Sequence, residues 1–290
     1  MYIVRPNDTL FRIAQRHRTP MQVILGANVI CNPRIVVSGD LLQIPGPEKK
    51  HSRLGLGPYY ILLPGDNLEC IAYYSKTTVV DLLRNNSVAS RHHLYPGAEL
   101  LIWGRRSDLD GLFMAWSGYP AGSQVSETQR GSFYQECFGW QAWGNKAVPF
   151  LIKLLSHNCP EVRYYAMLSL GRLGIDRGAL GALAGGLQDS HHDNRILARL
   201  AADRIILCQQ GYRRTRLLIK ADRLLDDLNR PIPAVTPLVE GTGVIVLKWH
   251  IPGPERVDDH DIPMIYDYVL IAASSQRGFL PRHHGRLNLV

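Results

Sequence analysis

The segment from Tyr2 to Pro45 recurs 58 residues later without a gap. Tyr2, Ile3, Pro6, Asp8, Leu10, Ile13 and Ala14 fall on Tyr60, Ile61, Pro64, Asp66, Leu68, Ile71 and Ala72. Thr19, Leu25, Asn28, Gly39, Leu42 and Ile44 fall on Thr77, Leu83, Asn86, Gly97, Leu100 and Ile102. An internal repeat limits the architecture before any single residue is interpreted, because each copy must be one structural unit. A short β-prone run opens each copy and stops at Pro6-Asn7 or Pro64-Gly65. Asp8 and Asp66 sit where an N-cap acceptor is wanted, ahead of Leu10, Ile13, Ala14 and Leu68, Ile71, Ala72 at helical spacing. A second helix through Ile24 or Leu82 and a return strand at Leu41 to Ile44 or Leu100 to Ile102 complete a β-α-α-β pattern.

These motifs resemble LysM modules. The family pattern of Y-x-V, P-G-D-T-L, I-A, a late Asn and P-G-x-x-L-x-I-P reads here as Tyr2-Ile3-Val4, Pro6 to Leu10, Ile13-Ala14, Asn28 and Ser38 to Pro45. The second copy departs from it at Asn67, Cys70 and Trp103. The resemblance implies binding of N-acetylglucosamine-containing glycan, peptidoglycan or chitin-like, in a groove between the turn into the first helix and the loop after the second. In the first copy the implied site is Asn7, Asp8, Thr9 and Leu10 facing Asn28, Val29 and Ile30. In the second it is Gly65, Asp66, Asn67 and Leu68 facing Asn86, Ser87 and Val88. Leu10 and Leu68 equally suit a core, and Asp8 and Asp66 equally suit helix caps.

With 290 residues, 46% hydrophobic and 20% charged, the chain is long enough for several folded domains. The fold class expected is multidomain α+β. The net charge of +8 is carried by residues 1–103 and 104–229, while 230–290 balances; this suits an anionic surface without naming one. Nucleic acid is not the partner expected. No apolar leader follows Met1 and no run is long enough to span a membrane, so synthesis in the cytoplasm and association with a spore or cell envelope are expected, with no membrane partner. Cys31, Cys70, Cys137, Cys159 and Cys208 are odd in number and lack C-x-x-C spacing, which argues for free buried thiols rather than a disulfide framework or a zinc site.

Residues 46–58 read as a basic linker between the copies (1–45 and 59–103). Residues 104–144 form a connector whose Trp116, Phe133, Tyr134, Phe138, Trp140 and Trp143 read as a buried cap rather than a sugar-stacking surface. From 145 to 229 the period is helical, and a shift of 32 maps Val148, Leu151, Leu155, Arg163, Ala166 and Leu168 onto Leu180, Leu183, Leu187, Arg195, Ala198 and Leu200. Glu161-Val162-Arg163 to Gly174 resembles HEAT-like repeats of the bilin-lyase type, which implies a scaffold for a protein partner. A closing helix is expected over Tyr212 to Leu228, carrying Arg213, Arg214, Arg216, Lys220 and Arg223. Residues 230–237 read as a proline-rich hinge. In 238–290, Val244 to Trp249 and Tyr266 to Ile271 resemble the first half of a fibronectin type III domain, leaving Gly278 to Val290 as a frayed end.

No catalytic pattern emerges. Glu136 and Glu161 lack a partner acid, His191-His192-Asp193 lies in a turn, and neither a P-loop, a G-x-S-x-G elbow nor H-E-x-x-H occurs. The chain is expected to be a non-catalytic glycan binder without a cofactor, with a helical scaffold for a protein. The alternative is an intracellular adaptor whose LysM-like units have lost the sugar.

Overall fold

Both copies close as the β-α-α-β units that their spacing predicts. The first consists of strand β1 (Tyr2–Ile3), helices α1 (Leu10–Arg16) and α2 (Met21–Ala27), and strand β2 (Leu41–Leu42). The second consists of β3 (Tyr59–Ile61), α3 (Leu68–Ser75), α4 (Val79–Asn85) and β4 (Glu99–Leu101). The antiparallel registers correspond: Tyr2 faces Leu42 and Tyr60 faces Leu100. So do the closing bonds, with Gly39 N on Val4 O at 2.7 Å and Gly97 N on Leu62 O at 2.7 Å. Each copy buries a small core, Val4, Leu10, Ile13, Ile24 and Leu42 in one and Leu62, Leu68, Ile71, Leu82 and Leu100 in the other. Units this small hold little apolar area and depend on every such contact.

The computed structural model describes residues 1–46, 59–86, 96–102, 108–121, 125–230, 233–256, 263–282 and 289–290. It divides into two units, one of Met1–Gly104 with Leu247–Gly253 and Tyr266–Tyr268, the other of Arg105–Val246, Pro254–Ile265 and Val269–Val290. Nearly all of the expected linker, 47–58, lies outside the described residues.

The second unit begins with helices α5 (Leu109–Ser117) and α6 (Glu127–Trp143), the latter started by a capping box between Ser126 and Gln129. Trp116, Phe133, Tyr134, Phe138 and Trp140 are buried here, so the aromatic connector is core. A 3-10 turn, Gly144–Ala147, leads into α7 (Val148–Leu154) and α8 (Pro160–Leu173), followed by α9 (Gly178–Gly186) and α10 (His192–Gln209). The shift of 32 has a physical counterpart in the turns. Arg163 Nη1 donates to His157 O (2.7 Å) and Asn158 O (3.2 Å), and Arg195 Nη1 donates to Asp189 O (2.7 Å) and Ser190 O (3.3 Å). Gly171 lets α8 approach α10, since a Cβ there would lie 2.9 Å from Ala201 Cα and 2.3 Å from a Val290 methyl. Gly174 ends α8 at φ 66, a conformation that suits glycine.

Three expectations fail beyond α10. Tyr212 to Leu228 is not a helix: it holds strands β5 (Thr215–Leu217) and β6 (Asp222–Leu225). β5 lies in register with Gly243, Val244 and Ile245 and exchanges bonds between Leu217 and Val290, partners distant in sequence and invisible to local periodicity. The basic helical face therefore does not exist, and Arg216 is buried, donating to Arg172 O at 3.1 Å. The described end of the proline-rich stretch is not a hinge but the return of a hairpin, with β7 (Val235–Leu238) paired to β6 from Asp222↔Leu238 to Leu225↔Val235, while 231–232 lie outside the described residues. The described residues of the end expected to be frayed are packed instead: β10 (Arg277–Pro281) buries Phe279 and Leu280, and Leu289 and Val290 are buried, while 283–288 lie outside the described residues. With β8 (Gly243–Arg256) and β9 (Pro263–Ile271), the described strands make one six-stranded sheet in the order β5-β8-β9-β10-β6-β7, not the two-sheet sandwich of a fibronectin type III domain.

Candidate functional site

The turn from β1 to α1 and its equivalent from β3 to α3 are built alike. Asn7 (φ 66) and Gly65 (φ 87) occupy the left-handed region at matching positions. Asparagine tolerates that conformation and glycine favours it. The N-caps are Thr9 and Asn67, whose side chains accept from Arg12 N (3.2 Å) and Cys70 N (2.8 Å). The aspartates expected as caps lie one residue earlier and brace the turn instead. Asp8 accepts from Arg5 N at 2.9 Å and from the Tyr2 hydroxyl, and Asp66 accepts from Leu63 N and the Tyr60 hydroxyl, both at 2.8 Å. Each aspartate thus ties its strand to its turn, which holds the exposed Asn7 and Thr9, or Gly65 and Asn67, in place.

The two aspartates differ in charge. Hydrogen bonding from Tyr2 holds Asp8 down at about 2, helped by Arg5 N and the Arg16 guanidinium (Nη2 to Oδ1, 3.0 Å). Arg16 is replaced by Tyr74 in the second copy, whose hydroxyl donates to Leu25 O at 3.4 Å. Lacking that cation, Asp66 is raised by burial, with the charge of Asp40 adding to it. Burial, and then the charge of Asp66, push the Tyr60 hydroxyl well above its ordinary range.

The opposite walls are more structural than expected. Asn28 donates to Ile24 O (2.7 Å) and Gln43 O (2.8 Å) and accepts from Gln43 N (2.8 Å). Asn86 repeats this with Leu82 O, Leu101 O and Leu101 N at 2.8, 3.0 and 2.7 Å. Both amides clamp the second helix to the return strand, with their amide protons committed to backbone carbonyls. Leu10 and Leu68 are core. Val29 packs on the core of the second copy and Ile30 on that of the first. Ser87 and Val88 lie outside the described residues.

With matching strands, caps, clamps and turns on the page, the comparison is direct. Residues 2–45 and 60–103 match the LysM domain. Both copies are LysM modules, and the match leaves the rest of the chain uncovered. No curated protein matches the chain. Among solved structures, the spore cortex-lytic enzyme SleL of Bacillus megaterium QM B1551 is similar at 9% identity over 97% of this chain and 87% of that one, with a TM-score of 0.17. A likeness of that size carries no argument about fold or activity.

Sequence reasoning missed a cystine. Cys31, in the loop after α2, is bonded to Cys70 on α3 with a Cα–Cα distance of 5.6 Å, so two thiols expected to be free join the LysM modules. Counting cysteines could not show it, because the odd residue is one of three that stay free and buried, Cys137, Cys159 and Cys208. Burial pushes the Cys137 thiol up to about 12, which makes it inert.

In the second unit a cleft of about 600 Å³ lies between the α7–α8 and α9–α10 turns, lined by Leu155, His157, Arg163, Gly186, Asp189 and Ser190 among others. Arg163 grips Asp189 with two bonds, 2.6 and 2.8 Å. Burial would raise the Asp189 carboxyl, but Arg163, His191 N and Asn194 hold it well below the carboxylate range. Among the described residues no group of three or more His, Cys, Asp or Glu could hold a metal ion, and no helix is long and apolar enough to cross a membrane.

Proposed function

We propose that this chain is a non-catalytic binder of N-acetylglucosamine-containing glycan, peptidoglycan or chitin-like, through its two LysM modules. The observation that carries the reading is the pair of equivalent turns, Asn7 to Leu10 and Gly65 to Leu68, each braced by an aspartate within a matched LysM frame. Thr9 Oγ1 and Asn67 Oδ1 accept the cap bonds, which leaves the Thr9 hydroxyl proton and the Asn67 amide protons for an acetamido or hydroxyl oxygen. Two modules on one chain gain by effective concentration on a repeating polymer.

The helical segment, read as HEAT-like repeats, is the scaffold for a protein partner, with the cleft beside Arg163 and Asp189 as its contact surface. The place of action is a spore or cell envelope. An inter-module cystine favours an oxidising compartment over the reducing cytosol.

Cosedimentation with insoluble peptidoglycan or chitin tests the reading. The wild-type chain is retained, and a variant carrying Asn7→Lys, Thr9→Lys and Asn67→Lys is retained at least tenfold less while keeping its circular dichroism. Failure of the wild-type chain to sediment with either polymer contradicts the reading.

One contact favours a second reading for the second module. Ile35 of the first module meets Gly65, its Cδ1 3.0 Å from where a Cβ would stand. A module whose turn already touches protein fits an adaptor, and retention unaffected by changing Asn67 alone supports that role for it.

A further inference from the structure

The two turns share a frame but not a charge. In the first module Arg5 opens the turn, its carbonyl accepting from Asp8 N at 3.1 Å, and Arg12 of α1 reaches back to it, with Nη1 donating to Asn7 O at 3.2 Å. That bond holds the Arg12 guanidinium at the turn, and its other N–H groups make no hydrogen bond among the described residues. Both arginines are exposed, and neither has an ion pair among the described residues. Asp8 does not offset them, because its side chain is 4% exposed and already held by Tyr2, Arg5 N and Arg16. An exposed arginine is ordinarily a solvated, mobile charge; here one Nη is anchored, so less freedom is lost when the rest of the fork takes a ligand. The second turn has none of these cations. Leu63, Cys70 and Tyr74 stand where the first module has Arg5, Arg12 and Arg16, and Glu69 stands where it has Phe11.

We infer that Arg12, with Arg5 at the start of the same turn, is a carboxylate subsite of the first module, so that this module takes an amino-sugar polymer bearing carboxylates while the second takes the neutral sugar. The inference rests on the glycan-binding reading of the two turns and narrows it, since peptidoglycan carries carboxylates and chitin does not. An ionised carboxylate fits a planar guanidinium through two parallel N–H···O bonds, stronger than bonds between neutral groups. A sugar lying at Asn7 and Thr9 brings its substituents within reach of the Arg12 fork, which is anchored on the carbonyl of Asn7 itself. The acid is either the lactyl group ether-linked to the sugar or the acid of a peptide attached to it; both present the same group to the fork.

Calorimetric titration of the full chain at low salt tests this with a neutral N-acetylglucosamine hexamer and with soluble peptidoglycan strands, stripped of peptide or not, each as the free acid and with its carboxylates converted to amides. The wild-type chain is expected to bind free-acid strands about tenfold tighter than amidated ones. A preference on stripped strands assigns the lactyl acid, and a preference only on strands that keep their peptides assigns the peptide's acid. Arg5→Gln combined with Arg12→Gln is expected to abolish the preference and leave hexamer binding unchanged. Arg18→Gln, which removes an exposed cation just past the other end of α1, is expected to keep it. A wild-type chain that binds the hexamer and shows no preference on either kind of strand overturns the subsite and leaves the glycan reading standing. Loss of the preference in Arg18→Gln overturns it as well, since the effect then follows net charge, and so does an equal fall in hexamer binding by the double variant. Binding of none of the probes overturns the glycan reading and the subsite together. Should the double variant change hydrogen exchange at 7–10, Arg12→Lys, which keeps the charge and loses the fork, takes over. It is expected to weaken the preference with hexamer binding unchanged, and a full wild-type preference overturns the inference.

Discussion

Arg16 bonds Asp8 across the turn at 3.0 Å, and the residue in its place in the second module, Tyr74, turns instead to Leu25 O of the first. The same aspartate therefore meets opposite electrostatics in two copies of one frame. In the first module the fold favours the carboxylate; in the second it favours the neutral acid.

The pH dependence of the two modules should differ in sign. The stability contributed by Asp8 is present above the ordinary carboxylate range and is lost as pH falls towards about 2. The contribution of Asp66 is present in acid and is lost as pH rises through its raised value. Asp8→Asn should cost about 1–3 kcal/mol at neutral pH, and Asp66→Asn should flatten the loss of stability of its module between acid and neutral pH. Residue-resolved hydrogen exchange between pH 3 and 7 checks both.

Asn28 and Asn86 should behave as structural clamps. Replacing either with Ala leaves a return-strand N–H, that of Gln43 or Leu101, without its side-chain acceptor. The expected loss is about 1–3 kcal/mol per site, measured by urea unfolding of the full chain with each module followed by its own amide signals.

The cystine closes a loop with a sequence separation of 39. Replacing Cys31 and Cys70 together with Ser should lower the unfolding free energy of the module pair by roughly 2–4 kcal/mol. The Arg163–Asp189 pair should have no effect on that pair of modules. With side chains 14% and 4% exposed it is largely buried, and removing one partner strands the other. Asp189→Ala should cost the helical unit about 3 kcal/mol, visible as a lowered thermal midpoint.

Gly171 should resist enlargement. An Ala methyl there would meet Val290 and Ala201, so Gly171→Ala should destabilise the second unit by about 1–3 kcal/mol. A chain shortened by Leu289 and Val290 should partly relieve that cost, a coupling that a double-mutant cycle measures.

What could be read from the sequence follows the range of the interactions. Both modules were legible because their signals are local: Leu10, Ile13 and Ala14 set a helical period, and Gly39 or Gly97 sets the return. The 32-residue recurrence marked helices α7 to α10 for the same reason. Thr9 was hidden behind Asp8, since both residue types cap helices and only the folded turn decides which oxygen reaches Arg12 N. Leu217, Leu218 and Ile219 gave an apolar run that reads equally as helix or strand, and β8, which decides it, lies further along the chain. Cys31 and Cys70 pair across two modules, so no spacing within either announces the bond.

Calorimetric titration of the oxidised full chain with a soluble N-acetylglucosamine oligomer tests the central claim most directly. Saturable heat is expected from the wild-type chain, at least tenfold weaker binding when Asn7, Thr9 and Asn67 are all changed to Lys, and no change when Asp189 is replaced. Absence of saturable heat from a wild-type chain whose two modules are folded would contradict the assignment of these turns to sugar.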